Sequence, residues 1–310
     1  MPPLFIPFPE ADPVVPEWSS FVELGTPVTV TGGGHGHITA LTHELLMLAD
    51  TGNNQIYSYT WDGETFTQRG SQSISSMGEP AIAALSASEF VQVDNVREKF
   101  FTFEYDITTH TFSLLFSTDF PPGGPPAQTP QMVALTDRIL AVYDTGTDLL
   151  RRFEWKSDGF DRWEEIGNSL AFPGSDITGI AALTSSSVVV IDGDNRKLYK
   201  FDIIGDDFVQ DGSAVDINDS SVGVAGIDLA ALSETDVAVS DVDNNEIVVF
   251  RFENGTFNKI GAGFSPYTFG HSSITAINHT DIVLYDLTNA RLQALRGAFG
   301  IGPGPNLPPL

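Results

Sequence analysis

The sequence predicts an all-β fold: a six-bladed β-propeller of four-stranded antiparallel blades, with the ring closed by the N-terminal strand, which completes the last blade. Three observations predict this fold. A short apolar tetrad recurs six times at intervals of about 44 to 50 residues, the length of one blade. The sixth repeat lacks a fourth strand, and a matching segment stands near the start of the chain. No segment combines a 3.6-residue apolar period with helix caps.

The tetrad is the predicted innermost strand of each blade. Its small residues suit a strand that is crowded around a central axis, and a small polar residue follows each copy, as a tight turn favours. The six copies are Ile38 to Leu41, Ile82 to Leu85, Met132 to Leu135, Ile180 to Leu183, Leu229 to Leu232 and Ile274 to Ile277.

A second strand follows in every repeat and ends at an aspartate. An aspartate at the start of a turn accepts backbone N–H bonds, and asparagine three residues later tolerates a left-handed conformation. A feature present in every blade indicates architecture rather than catalysis. Calcium binding is the alternative, because the turns that begin at Asp192 and Asp241 supply several oxygens, although without EF-hand spacing. The predicted turn aspartates are Asp50, Asp94, Asp144, Asp192, Asp241 and Asp286.

The third and fourth strands carry aromatic residues, and the fourth has the pattern aromatic-x-x-x-Gly. The second repeat varies this pattern, with Phe112 and no matching glycine. The sixth repeat ends without a fourth strand, and the segment from Phe21 to Gly25 has the missing pattern. Because an open propeller would leave exposed sheet edges, we expect this segment to complete the sixth blade.

Two proline-rich arms flank the predicted propeller. The expected organisation is an N-terminal arm over residues 1–17, a propeller over residues 18–297 and a Pro/Gly-rich tail over residues 298–310. Such sequences favour extended polyproline conformation over a central strand. Frayed ends are one interpretation; the other is a docking arm, for which the apolar side chains are Leu4, Phe5, Ile6 and Phe8.

The net charge of −26 excludes several functions. With 15 basic and 41 acidic residues, binding to a nucleic-acid backbone or an anionic membrane surface is not expected. Solubility is one interpretation of the charge, and affinity for cations or for a basic partner surface is the other. The chain has no cysteine, no apolar run long enough to span a membrane and no pattern of a secretory signal.

Five polar residues are predicted to gather at one mouth of the axial channel. They stand just before innermost strands, and histidine interrupts the repeat symmetry there. Converging His, Glu and Asp side chains would bind a divalent cation or act as an acid–base set. The alternative is a hydrogen-bonded polar plug, in which case no cofactor is expected. These predicted mouth residues are His35, His37, Glu79, Asp228 and His271.

The repeat as it stands in residues 48–59 and 61–66 resembles β-propeller repeats of uncharacterised bacterial and bacteriophage proteins. The resemblance covers roughly residues 18–297 and implies a blade rather than an activity. Lactonase-type six-bladed propellers are similar in blade number and carry an axial calcium held by Glu, Asn and Asp. Of that set, only Glu79 and Asp228 lie in comparable places here.

Three functions follow as hypotheses. The first is a non-enzymatic binding or structural module, such as a phage tail or capsid-surface protein, which docks protein partners in a virion or the cytoplasm. The second is a metal-dependent hydrolase that uses His35, His37 and His271. The third is a glycan-binding propeller, for which Tyr267 and Phe269 are the candidate aromatic contacts.

Overall fold

A computed structural model provides the structure of the protein. It describes residues 17–30, 36–74, 78, 80–94, 96–120, 130–172, 176–217, 228–241, 245–265 and 272–300. Within these ranges the regular secondary structure consists of β-strands alone, as the absence of helical periodicity predicts.

The described strands form six antiparallel sheets, one for each predicted repeat, and the expected six-bladed propeller is confirmed. The strands, in chain order, are β1 (Glu17–Thr29); in blade 1, β2 (Gly36–Thr42), β3 (Leu45–Asp50), β4 (Gln55–Trp61) and β5 (Phe66–Ser73); in blade 2, β6 (Pro80–Ala84), β7 (Glu89–Asp94), β8 (Lys99–Asp106) and β9 (Thr111–Asp119); in blade 3, β10 (Gln131–Thr136), β11 (Ile139–Asp144), β12 (Leu149–Lys156) and β13 (Arg162–Ala171); in blade 4, β14 (Ile177–Thr184), β15 (Ser187–Asp192), β16 (Lys197–Ile204), β17 (Asp207–Gln210) and the short β18 (Val215–Asp216); in blade 5, β19 (Asp228–Ala231), β20 (Asp236–Asp241), β21 (Glu246–Glu253) and β22 (Thr256–Phe264); and in blade 6, β23 (Ser272–Ala276), β24 (Asp281–Asp286) and β25 (Arg291–Gly300).

The first strand of the chain closes the ring. Strand β1 pairs antiparallel with β25, from Glu17 opposite Gly300 to Thr29 opposite Arg291, so blade 6 has the order β1-β25-β24-β23. The predicted closure is confirmed, and the strand extends beyond both ends of the expected segment. Phe21 is buried at this junction, where it packs beside Trp18 with a ring separation of 5.4 Å.

Hydrophobic clusters between neighbouring blades hold the ring together. Successive side chains of a strand point to opposite faces, and each blade is covered on both faces, so a middle strand is buried throughout. All six residues of β3, β15, β20 and β24 are buried accordingly. Where blades 6 and 1 meet, Leu48, Tyr59 and Tyr285 share one cluster. Burial of each large apolar side chain contributes roughly 1.5–3 kcal/mol.

In every blade but the second, the fourth-strand pattern includes a glycine, and this glycine lets the blade touch the next one. At Gly25 and Gly212 the backbone has a positive φ, of 60° and 75°, and an added Cβ would lie within 2.0 Å of the next blade's turn carbonyl. The residue after the glycine then donates its N–H to that carbonyl, as Thr26 does to Glu64 at 3.1 Å. Blade 2 has Phe116 at this position, which packs on Trp155 of blade 3 with a ring separation of 4.9 Å.

The aspartates that end the second strands accept hydrogen bonds from their own turns. Asp50 Oδ1 accepts the N–H of Gly52 at 2.8 Å, and Asp192 Oδ1 accepts the N–H of Asn195 at 2.9 Å. The side-chain amide of Asn195 donates to the second oxygen of Asp192 at 2.8 Å. These carboxylate oxygens are directed at N–H donors within the turn.

The left-handed residue of each turn is not the asparagine that sequence reasoning emphasised. It stands four residues after the aspartate, one position later, where the chain turns into the third strand. The asparagine at the third position serves as a side-chain donor instead. The six left-handed residues, with φ between 46° and 54°, are Asn54, Glu98, Asp148, Arg196, Asn245 and Ala290.

Candidate functional site

The innermost strands of the six blades enclose a cavity of about 230 Å³ on the propeller axis. Small side chains line its walls, because the third residue of the tetrad is alanine in every blade. Five of these alanines line the cavity: Ala84, Ala134, Ala182, Ala231 and Ala276. A cavity of this size is several times the roughly 30 Å³ that one water molecule occupies in the liquid.

The polar end of the cavity is formed by the residues that precede four of the six tetrads. His37, Gln131, Asp228 and Ser273 occupy this position in blades 1, 3, 5 and 6 and line the cavity. The second strands end at their aspartates on the same side of the ring, since Asp50 pairs with Gly36 at the start of β2. We call this side the mouth face.

Asp228 is the carboxylate of the cavity wall, and the ends of two blades hold it in place. Its Oδ1 accepts the N–H of Leu229 at 2.8 Å, and its Oδ2 accepts the N–H of Ile274 in blade 6 at 3.0 Å. The hydroxyl of Ser273 also bonds to this carboxylate. Asp228 is 9% exposed. The carboxylate is therefore fixed rather than mobile.

A glycine provides the space that Asp228 occupies. Gly179 holds the same position in blade 4, and a Cβ built there would lie 3.0 Å from Asp228 Oδ1 and 3.2 Å from the N–H nitrogen of Leu229. These distances are shorter than ordinary van der Waals contact, so any larger residue would crowd the carboxylate.

Burial raises the pKa of Asp228 to about 6, although the N–H groups of Ile274 and Leu229 and the Ser273 hydroxyl favour the charged form. The carboxylate is thus ionised at neutral pH at a cost to the folded state. It gains and loses its proton in a range where an ordinary aspartate stays charged.

The mouth face carries further negative charge between blades 3 and 4. Partial burial raises the pKa of Asp176, and the neighbouring carboxylates of Asp194, Asp192 and Asp148 raise it further. The raised pKa of Asp176 shows that these carboxylates lie close enough to repel one another. A cation that approaches this face is attracted to it.

The structure brings together only part of the predicted mouth. His37 and Asp228 line the cavity as expected, whereas His35, Glu79 and His271 lie outside the described residues. The docking-arm residues and the aromatic pair Tyr267 and Phe269 also lie outside them.

Sequence reasoning missed the parts that Gly179 and Thr39 play in the junctions between blades. An alignment of the six repeats would have shown that Gly179 occupies, in repeat 4, the position that Asp228 occupies in repeat 5. Contacts between strands that are 45 residues or more apart in the chain leave no local signal, as for the bond between Ala84 and Thr39.

Two features are absent from the residues that the structure describes. No group of three or more His, Cys, Asp or Glu side chains in them is placed to hold a metal ion. They also contain no helix with the length and apolar character to cross a membrane.

The raised pKa of Asp228 predicts how its contribution to unfolding free energy varies with pH. The direction is opposite to that of an aspartate in an ion pair, whose pKa is lowered. The folded state binds the proton more tightly than the unfolded state, whose pKa is near 3.8. The contribution to unfolding free energy is therefore largest below pH 4 and falls as the pH rises through about 6. We expect the difference in unfolding free energy between the native protein and Asp228→Asn to change by about 2 kcal/mol between pH 4 and pH 7.

Urea unfolding of both proteins across this range measures that change. The substitution also removes one acceptor for a backbone N–H, which adds a constant offset, so the slope of the difference is the informative quantity. A difference that stays constant with pH would contradict the prediction.

No protein-family model matches the chain, and no curated protein is similar to it in sequence. Solved structures resemble it in fold. The PQQ-bound aldose sugar dehydrogenase of Streptomyces coelicolor has a TM-score of 0.60 at 12% identity over 91% of this chain and 99% of the other. A protein from Lactobacillus plantarum has a TM-score of 0.59 at 16% identity over 89% and 90%. The β-propeller domain of Myceliophteria thermophila Cps50 (Swd1) has a TM-score of 0.56 at 8% identity over 87% and 99%. At these identities the likeness shows the propeller fold alone.

Proposed function

We propose that the chain is a non-enzymatic binding module that holds a basic partner protein against its mouth face. The observation that supports this most directly is Asp228, a buried carboxylate on the wall of a cavity that is of side-chain size. Propeller folds serve many functions, so the argument depends on the site and not on the fold.

The charge of the chain supports the same partner class. A net charge of −26 attracts basic surfaces and increases their rate of association, particularly at low salt. The carboxylates around Asp176 add to this field on the mouth face. Desolvated pockets near the centre of an interface are where protein-binding hot spots usually lie, and arginine is among the side chains enriched there.

The more specific virion hypothesis concerns the identity of that partner. The resemblance to bacteriophage repeats suggests other virion proteins, and the proline-rich arms suggest a second contact. The metal-dependent hydrolase and the glycan-binding propeller stay predictions, because His35 and His271 of the first and both aromatic residues of the second lie outside the described ranges.

Binding of a fluorescent octalysine peptide tests the proposal. We expect binding that weakens with salt, and no binding of an octaglutamate peptide. Asp176→Asn/Asp194→Asn should weaken octalysine binding several-fold, since both carboxylates lie on the mouth face. Asp62→Asn/Asp106→Asn is the matched control: it removes the same charge from hairpins at the opposite ends of the third strands, where both side chains are exposed.

Equal weakening by the two double variants would show attraction by net charge alone and would contradict a mouth-face site. Absence of octalysine binding at low salt would contradict the basic partner class.

A further inference from the structure

The junctions between innermost strands need a hydrogen-bond acceptor but not a charge. Ser273 stands one blade after Asp228 at the same position, and its hydroxyl oxygen accepts the N–H of Ile38 in blade 1 at 3.2 Å. Thr39 Oγ1 accepts the N–H of Ala84 in blade 2 at 3.2 Å. Neutral hydroxyl groups are thus sufficient to join blade 6 to blade 1 and blade 1 to blade 2. The need to join blade 5 to blade 6 therefore does not explain why residue 228 is an aspartate and not a serine or threonine.

The negative charge of Asp228 has no cationic partner among the described residues. Its contacts there are the N–H groups of Leu229 and Ile274 and the hydroxyl of Ser273, none of which carries a charge. Burial of a charge without a counter-ion is unfavourable. A bound cation would offset that cost.

The cavity next to Asp228 fits one kind of cation better than others. Hard metal ions prefer six or more oxygen ligands, and Asp228 is the one carboxylate among the described residues that line the cavity. An N–H cation needs only a few acceptors, and Gln131 of blade 3, which also lines the cavity, has a side-chain amide oxygen that can accept. The alanine walls give apolar contact to an aliphatic chain.

We propose that the cavity binds a primary ammonium or guanidinium group on an aliphatic stem, with the cation donating hydrogen bonds to Asp228 and the stem lying against the alanines. This inference rests on the proposed function, since it names the chemical group by which the mouth face recognises its partner. Gly179 serves the site by leaving the carboxylate its space.

Two sources supply this chemistry: a lysine or arginine side chain of the partner, or a free alkylamine. Both present the same group to Asp228. A blocked Gly-Lys-Gly peptide tests the first source, and n-butylammonium tests the second. Binding of the peptide at least as tightly as the free amine identifies the partner side chain; binding of the amine alone identifies a small molecule.

The direct experiment is an NMR titration of the full chain with n-butylammonium at pH 7.5, which follows the Asp228 carboxyl carbon. We expect saturable shifts with n-butylammonium, none with n-butanol, which has the same stem without charge, and at least tenfold weaker binding of tetramethylammonium, which has no N–H donor. Asp228→Asn should weaken n-butylammonium binding at least tenfold, followed through backbone amides, while Asp62→Asn, at an exposed hairpin on the opposite side of the ring, should leave it within about twofold.

A pH comparison tests the site without altering Asp228. At pH 5, roughly a tenth of a carboxylate with a pKa of about 6 is ionised, so binding should be about tenfold weaker than at pH 7.5. His37 is the other titratable side chain among the described lining residues, and its protonation would act in the same direction. The comparison is therefore repeated on His37→Gln, where the tenfold loss should persist.

Equal binding of n-butylammonium by the native protein and Asp228→Asn would overturn the inference, as would binding of n-butanol with equal strength. If octalysine binds the mouth face while Asp228→Asn leaves both ligands unaffected, the inference fails, and the proposed function then depends on the surface carboxylates around Asp176 and not on Asp228. If octalysine does not bind at all, the proposed function fails first.

Discussion

Gly25→Ala is expected to lower the free energy of unfolding by roughly 3 kcal/mol or more. The residue has a φ of 60°, and a Cβ there would lie 1.7 Å from the carbonyl oxygen of Glu64 in blade 1. The left-handed conformation costs an alanine about 1–2 kcal/mol, and overpacking adds about 1–3 kcal/mol. The hydrogen bond from Thr26 to Glu64 would be stretched at the same time.

Gly63→Ala is the control for backbone strain. Gly63 also has a positive φ, of 99°, but no atom lies within 4 Å of the position that its Cβ would take. Chemical unfolding should show that Gly25→Ala is less stable than Gly63→Ala, by the free energy that the clash with the Glu64 carbonyl costs. Equal stability of the two variants would mean that blade 6 does not rest on blade 1 through this glycine.

A disulfide between positions 20 and 298 is expected to form spontaneously and to raise stability by about 4–5 kcal/mol. Ser20 pairs with Ala298 across β1 and β25, and paired Cα atoms of antiparallel strands are about 4.5–5.5 Å apart, within disulfide range. The crosslink would close a loop that contains nearly the whole propeller, so the entropy lost by the unfolded chain is large.

The natural chain has no cysteine, so the pair Ser20→Cys/Ala298→Cys can form only one disulfide within a molecule. Non-reducing mass spectrometry and thermal unfolding with and without reductant measure its formation and effect. The pair Val22→Cys/Ala298→Cys is diagonal, with Cα atoms roughly 7–8 Å apart, and should crosslink poorly. Equal crosslinking of both pairs would contradict the register of ring closure.

The repeat made the fold predictable from the sequence. Each repeat has the same apolar tetrad and the same aspartate at the end of its second strand. A correct strand assignment for one repeat therefore applies to all six. Ring closure was predictable because the missing strand and its pattern, Phe21 to Gly25, stood at the other end of the chain. The role of Gly25 was not predictable, because it depends on contact with the turn at Glu64 in the next blade, which the repeat pattern does not show.

The candidate site was less predictable, because it depends on departures from the repeat. Asp228 could be singled out as a polar residue before a tetrad, but its burial and its contact with Ile274 arise only when blade 6 lies beside blade 5. The space that Gly179 leaves comes from a strand 49 residues earlier in the chain. Local pattern also placed the left-handed turn residue one position early, since Asn195 acts through its side chain.

Titration of the Asp228 carboxyl carbon by NMR, without added ligand, measures the one property on which the binding site depends. A buried, ionisable carboxylate with no cationic neighbour among the residues that the structure describes should titrate with a pKa of about 6. The Asp228 signal is assigned by its loss in Asp228→Asn. A pKa at or below 3.8, the ordinary value for aspartate, would contradict a buried and uncompensated charge at the channel mouth.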